Sequence, residues 1–517
     1  MKFFIHLFFL LSISYSFAQI NNEAVFGAVG DESVINSRID SNNIILAYSI
    51  HPDLIPSGQI VSQGIGGLSD LVVQKITDGQ IVFEKVLGSN LSETTVNVAS
   101  NDLSTYVVYA TNGGATGTQD SPSFGEYDII IIKLDNQGTI LWQKRFGGES
   151  IDYVDDIELL QNGELIVTCM SFSGVSGNKT TEISGDIDVW VLKLNEDGEL
   201  LWQKNLGGDG LETDSGIMEF DNSIVVYSRS NSGVSGNKTE PNFSYDDTWI
   251  VKLDQNGNII DQLIIESDNE EYVAAMELHF GSLFCLMSSN STIAGDKTID
   301  SKGDWDLWLV EFNNDFEIVN QWVYGGTELE FARDLYSNGK NLLVLGESLS
   351  GISGNKTLNS YGLTDYWLIE VDLYAENPFS QWSFGGNRYD NPGTLWVSEN
   401  GQVRVGGTSY SGISGNKTVT NNSFNTIDYW TFDFEAALNV PENELGYNVY
   451  PNPSHDNFFI QTPADFDEIF LFDLVGNQID FELRVLSSGI KEIVPLNFSK
   501  GFLIMQAGGF STKLLRH

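Results

Sequence analysis

Short apolar runs return along this chain at a fixed spacing, separated by residues that favour turns. The clearest copy reads as four strands: Tyr153 to Leu160, Glu164 to Ser171, Asp188 to Leu194 and Glu199 to Leu206. Gln161-Asn162-Gly163 separates the first pair and Asn195-Glu196-Asp197-Gly198 the second. Asn-Gly and Asp-Gly between apolar runs are strong hairpin signals, because glycine accepts the positive φ of a tight turn. In the third strand, Val189-Trp190-Val191-Leu192-Lys193-Leu194, both alternating faces are apolar. Such a strand must be covered on both sides. No helical period appears among the repeats.

The connection between second and third strands carries an octet, SGVSGNKT, at Ser173 and again at Ser232. It recurs as STIAGDKT at Ser291 and as SGISGNKT at Ser350 and Ser411. An Asp opening the third strand reaches further back, at Asp70, Asp128, Asp188, Asp247, Asp306, Asp365 and Asp428, with steps of 58 to 63 residues. Seven repeats of four strands at this period predict an all-β fold, a seven-bladed β-propeller. The seventh repeat stops after its third strand, whereas Ala24-Val25-Phe26-Gly27 near the start resembles a fourth strand and its exit. The N-terminal strand is therefore expected to complete the last blade and close the ring without a free edge. Trp190, Trp249, Trp308, Trp367 and Trp430 recur on third strands, and Trp142, Trp202, Trp322 and Trp382 on fourth strands. Placed mid-strand, they read as packing between blades, although exposed Trp would also stack on sugars. Copies one and two lack the Asn-Lys-Thr loop, and copy four lacks the fourth-strand Trp and the Gly-Gly exit.

Lys2, the apolar stretch Phe3 to Leu11 and Ser16-Phe17-Ala18 resemble a secretory leader with its cleavage site. Four segments are expected: a leader over 1–18, the seven repeats over 19–434, a linker over 435–445 and a further domain over 446–517. No later segment approaches the ~20 apolar residues of a membrane helix. The formal net charge of −45 argues against a nucleic-acid partner, whose phosphates demand a basic surface. Calcium is the one cation this acidity leaves room for, with no ligand motif behind it, so no cofactor is expected. Cys169 and Cys285 lie two repeats apart on second strands and read as buried free thiols.

After Pro441 the text changes. Tyr450-Pro451-Asn452-Pro453-Ser454 is followed by Ile469-Phe470-Leu471-Phe472-Asp473-Leu474-Val475-Gly476, then Lys500-Gly501-Phe502 and Thr512-Lys513-Leu514-Leu515. By itself this is a small β domain. The segment resembles the type A C-terminal sorting domain of type IX secretion cargo from Bacteroidota. Pro451, Asn452, Pro453, Asp473, Gly476, Gly501 and Lys513 carry the resemblance. It departs from the family at His455-Asp456-Asn457, where a Gly is usual, and at Phe502, where Tyr is frequent. The resemblance implies a small antiparallel sandwich recognised by the type IX secretion machinery, and a cargo released or held at the cell surface.

Catalytic motifs are lacking: there is no Gly-x-Ser-x-Gly elbow, His-Glu-x-x-His, Walker loop or metal-spaced Cys pair. Asn178, Lys179, Asn237, Lys238, Lys297, Asn355, Lys356, Asn416 and Lys417 would emerge on one rim, with Glu149, Asp209 and Glu328 nearby. Two readings stay open for them: a ring of cations that grips an anionic glycan, or residues that satisfy neighbouring carboxylates and backbone. The expected function is binding or adhesion, to a glycan or surface protein, by an exported propeller. The alternatives are a polysaccharide hydrolase or lyase using acidic funnel residues, and a structural surface component.

Overall fold

A computed structural model describes residues 20–435, apart from short gaps at 28–32, 41–42, 52–59, 61, 245, 314–315, 340, 374–379, 399–400 and 423–426, and the strands of a second unit within 448–516. The expected leader and residues 436–447 of the linker region lie outside the described residues. Contacts divide the chain into two compact units, up to Ala436 and from Ala437.

The first unit is a ring of seven four-stranded antiparallel sheets. Blade three consists of Asp152–Leu159, Leu165–Ser171, Asp188–Leu194 and Leu200–Leu206. Its third strand is wholly buried, as its two-sided apolar pattern requires. Trp190, Trp249, Trp308, Trp367 and Trp430 are fully buried between blades. The fourth-strand Trp residues divide: Trp322 is buried, whereas Trp142 and Trp202 are half-buried. The latter two donate indole N–H bonds of 3.0 Å to the carbonyls of Glu196 and Gln255 in the next blade.

Blade seven shows how the ring closes. Its sheet contains Asp390–Val397, Gln402–Ser409, Asp428–Glu435 and, as the outer strand, Ile20–Phe26 from the other end of the chain. In blades three to six a fourth-strand Gln accepts from the third-strand Trp and from the Thr after the loop Lys, as Gln203 does from Trp190 and Thr180. In blade seven Glu23 takes both places, accepting from Trp430 and from the backbone N–H of Thr418 at 2.9 Å. The closing strand thus reproduces the side-chain contacts of an ordinary fourth strand as well as its ladder.

Every first strand lines the central channel, and each carries a β-bulge near its start. The bulge turns side chains toward the neighbouring blade. Asp155 of blade three accepts from Ser215 of blade four, and Asp334 of blade six accepts from the backbone N–H of Leu395 at 2.7 Å.

The second unit is a sandwich of two four-stranded sheets. Phe458, Ile469, Leu471, Ile493, Leu503 and Met505 fill its interior. Eight strands are present among its described residues, the shortest being Asn448–Tyr450 and Gln478–Ile479.

Candidate functional site

The octet loops form the rim in five blades, but their lysines point inward. Lys179, Lys238, Lys297, Lys356 and Lys417 are each 1–2% exposed. Lys356 donates to Ser348 Oγ at 2.6 Å, Ser350 O at 2.8 Å and Ser360 Oγ at 3.1 Å, which uses all three ammonium protons. Its Nζ also lies 5.5 Å from the centre of the Trp367 ring. Burial pushes Lys356 and Lys417 down to about 8, against the pull of nearby Glu330 and Asp390 respectively. A ligand resting on this rim therefore meets no free ammonium from these loops.

The asparagines join blades. Asn178 donates to Arg145 O at 2.8 Å and accepts from Gly147 N–H at 3.0 Å, both on the exit of blade two. Asn237, Asn355 and Asn416, in blades four, six and seven, repeat this pair of bonds to the blade before their own. In blade five Asp296 stands at the same place and keeps only the accepting half. The preceding glycine is obligatory. Gly354 has φ +57°, and a Cβ there would lie 2.2 Å from Gly325 O of the previous blade. The asparagines thus bond the backbone of the neighbouring blade, whereas the lysines bond hydroxyls and carbonyls of their own. What the octets present to solvent is a row of apolar tips, Val175, Val234, Ile293, Ile352 and Ile413, 54–65% exposed.

The acids beneath the loops are structural too. Asp152 and Asp390, at the openings of first strands, are buried, and Asp152 accepts from Ser171 at 2.5 Å and Ser173 at 3.0 Å. Asp188, opening a third strand, accepts from the backbone N–H of Ser184 at 2.6 Å, the turn role expected of it.

One sector of this face departs from the repeat. The second residue of the first strand is Val34, Thr94, Tyr153, Thr213, Tyr272, Phe331 and Asn391 in successive blades. The residue before the third-strand Asp is Ser69, Tyr127, Ile187, Asp246, Trp305, Thr364 and Ile427. Aromatic residues coincide most fully at blades five and six. Trp305 lies 5.5 Å from Tyr272 and 5.7 Å from Phe331, with its plane tilted by 32° and 37° to theirs. Blades two and three hold only the pair Tyr127–Tyr153, at 5.2 Å.

Tyr272 and Phe331 are opposite walls of a cleft of about 490 Å³ between the first strands of blades five and six. Its floor is made by Val273, Ala274 and Ala332, with Ser288 beneath. Ala274 occupies the bulge position where blades three and six carry Asp155 and Arg333. Arg229 donates to the Tyr272 hydroxyl at 2.9 Å, stands 5.0 Å over its ring and approaches Asp214 to 3.5 Å. Arg333 lines the cleft from the other side and is paired with the buried Glu347. Burial pushes the Tyr272 hydroxyl up, opposed by Arg229. Sequence reasoning missed this site, although the aromatic coincidence is visible once the seven copies are aligned strand by strand.

Deeper along the first strands the channel, about 500 Å³, is acidic. Burial pushes Glu158 up to about 7 and Glu277 up to about 8, and Asp156 and Asp334 up to about 6. Arg38 of blade one is the cation that opposes the shift at Glu158, Asp156 and Asp334. Among the described residues no group of three or more His, Cys, Asp or Glu is disposed to hold a metal ion. Cys169 and Cys285 are free and buried.

In the second unit Gly501 opens the strand Gly501–Ala507 and Lys513 lies in Phe510–Arg516, paired with Ile504. Pro451, Asn452, Pro453, Asp473 and Gly476 lie outside the described residues. No helix among the described residues is long and apolar enough to cross a membrane.

Comparison with known proteins finds a family match for the second unit. Residues 448–513 match the family described as "Secretion system C-terminal sorting domain". No curated protein matches the chain. Among solved structures, a protein of unknown function from Bacteroides caccae is 14% identical, with a TM-score of 0.32 over 62% of this chain and 92% of that one. The Pan2 WD40 domain of Neurospora crassa is 10% identical, with a TM-score of 0.33 over 66% and 88%. The Dos1 propeller is 10% identical, with a TM-score of 0.39 over 80% and 94%. The ring itself is read from the seven sheets and their closure. The chain is thus a seven-bladed β-propeller that ends in a type IX secretion sorting domain, which marks it for export to the cell surface or beyond.

Proposed function

We propose that the ring is a binding module, delivered outside the cell by its sorting domain, and that the cleft between blades five and six takes the ligand. The observation that carries this reading is that Tyr272 and Phe331, both packed against Trp305, line a cavity in an otherwise repetitive scaffold. Half-buried rings need a reason to stand beside an open cleft, and a stacked ligand supplies one. The rim lysines play no part in it, since their protons are already engaged within the fold. The test is a glycan array probed with the exported chain and with Ala274→Tyr, which fills the cleft from its floor. A hit that disappears in the variant supports the reading; a hit of equal strength in both removes the cleft from consideration.

A second reading, cleavage of polysaccharide, is supported by Glu277 and Glu158 on the channel wall, whose carboxyls burial pushes up to about 8 and about 7. A carboxylic acid held protonated can serve as a general acid. Release of reducing ends by the wild type, lost in Glu277→Gln, would favour it over binding alone.

A further inference from the structure

We propose that the cleft selects uncharged sugar, the pyranose units of a neutral polysaccharide, over acidic glycans and cationic ligands. This rests on the reading that the cleft is the ring's binding site, and it follows from charge. Two guanidinium groups flank the aromatic walls, which at first sight suits a uronate or a sulfate ester. Both already have carboxylate partners: Arg333 is paired with Glu347, and Arg229 with Asp214. A carboxylate on the ligand would have to displace a protein carboxylate from each, exchanging one ion pair for another with no net gain. It would also approach a chain whose formal charge is −45, so its long-range field opposes a polyanion.

A cationic ligand meets a different obstacle. The place over the Tyr272 face where an ammonium would sit is filled by Arg229, 5.0 Å from the ring centre. What remains apolar is the Phe331 ring with Val273, Ala274 and Ala332, and donors and acceptors stand around it. The guanidinium groups keep N–H bonds to offer, Glu347 and Asp214 keep lone pairs, and the Tyr272 hydroxyl stands beside Arg229. A pyranose presents the matching surface, with C–H groups on its face and hydroxyls that both donate and accept around its edge. The cleft volume of about 490 Å³ falls within the range of ligand pockets, about 300–1,000 Å³.

Native electrophoresis of the exported chain through gels containing polysaccharide tests this. The neutral probes are hydroxyethylcellulose, xyloglucan and galactomannan; the acidic ones are alginate and polygalacturonate. At least one neutral polymer should retard the protein, equally from about 0.05 to about 0.5 M salt, where screening would remove a charge-driven contact. Ala274→Tyr should abolish retardation without changing the melting temperature, because the neighbouring blade carries Arg333 at the same bulge position. Phe331→Ala should weaken retardation on the order of tenfold. Retardation by the acidic polymers alone, fading with salt and absent in Ala274→Tyr, would overturn the neutral specificity while leaving the cleft as the binding site. Retardation unchanged by Ala274→Tyr would overturn the site. No retardation by any of the five, with the ring folded, would overturn carbohydrate as the ligand.

Discussion

Blades two and three have the same four-stranded sheet and the same pair of buried acids, yet different cations hold them. In blade three the cation comes from the loop: Lys179 reaches Ser171 and Ser173, and those serines donate to Asp152. Blade two has no octet. Its cation is Arg145, on the fourth strand, which donates to Asp128, to Gly113 O and to Gln119. Gln119 in turn donates to Glu93 and to Thr111, which stands where blade three has Ser171 and itself donates to Glu93. What the fold requires is a buried donor network between two carboxylates, and the residue that supplies it can come from either side. The repeat in the sequence is one solution to that requirement, and blade two is another.

The comparison can be broken most severely at the seam. Removing residues 20–27 takes the outer strand from blade seven, together with buried Val25 and Phe26 and the Glu23 contacts. The melting temperature should fall on the order of 10 °C or more, read by calorimetry. Next in size is Arg145→Met. The Arg145–Asp128 pair is buried on both sides, so the variant leaves a carboxylate uncompensated and should cost about 3–5 kcal/mol in denaturant unfolding. Lys356→Met, in a blade of the repeated kind, should cost less, about 2 kcal/mol. Its direct partners are hydroxyls and a carbonyl, which lose hydrogen bonds only. If the two substitutions cost the same, the two cations do equivalent work and the distinction between the blades fails.

The smallest expected effect concerns pH. Glu277 and Glu158 have folded values of about 8 and about 7, above those of an exposed carboxyl. Between the ordinary carboxylate range and about 8, the folded ring holds protons that the unfolded chain has released. Stability is therefore present in acid and lost as pH rises through that window. Thermal scans should show the melting temperature falling by a few degrees between about pH 5 and 8. Glu277→Gln should flatten the slope. An unchanged slope would mean that Glu277 is solvated like a surface residue.

Much of this was legible because it repeats. Seven copies of an Asp before a two-sided apolar strand gave blade number and strand order, and the truncated last copy pointed to closure by Ala24-Val25-Phe26. The role of Glu23 was not legible, since a Glu in place of Gln means nothing until Thr418 and Trp430 are beside it. The octet lysines were ambiguous for a similar reason. A lysine in a polar loop reads equally as a surface cation or as a buried donor, and the difference lies in which way the loop folds over Ser348 and Ser350.

The chain's own text was enough for the architecture and the destination. Apolar periodicity depends only on neighbouring residues, and the sorting segment is contiguous. Tertiary structure alone decided the chemistry of the face. Tyr272, Trp305 and Phe331 come from three separate strands or turns, and Arg229, Asp214 and Glu347 from three more. Their meaning depends on which faces and charges are already taken. That is settled in space, by burial and pairing, and leaves no periodic mark along the chain.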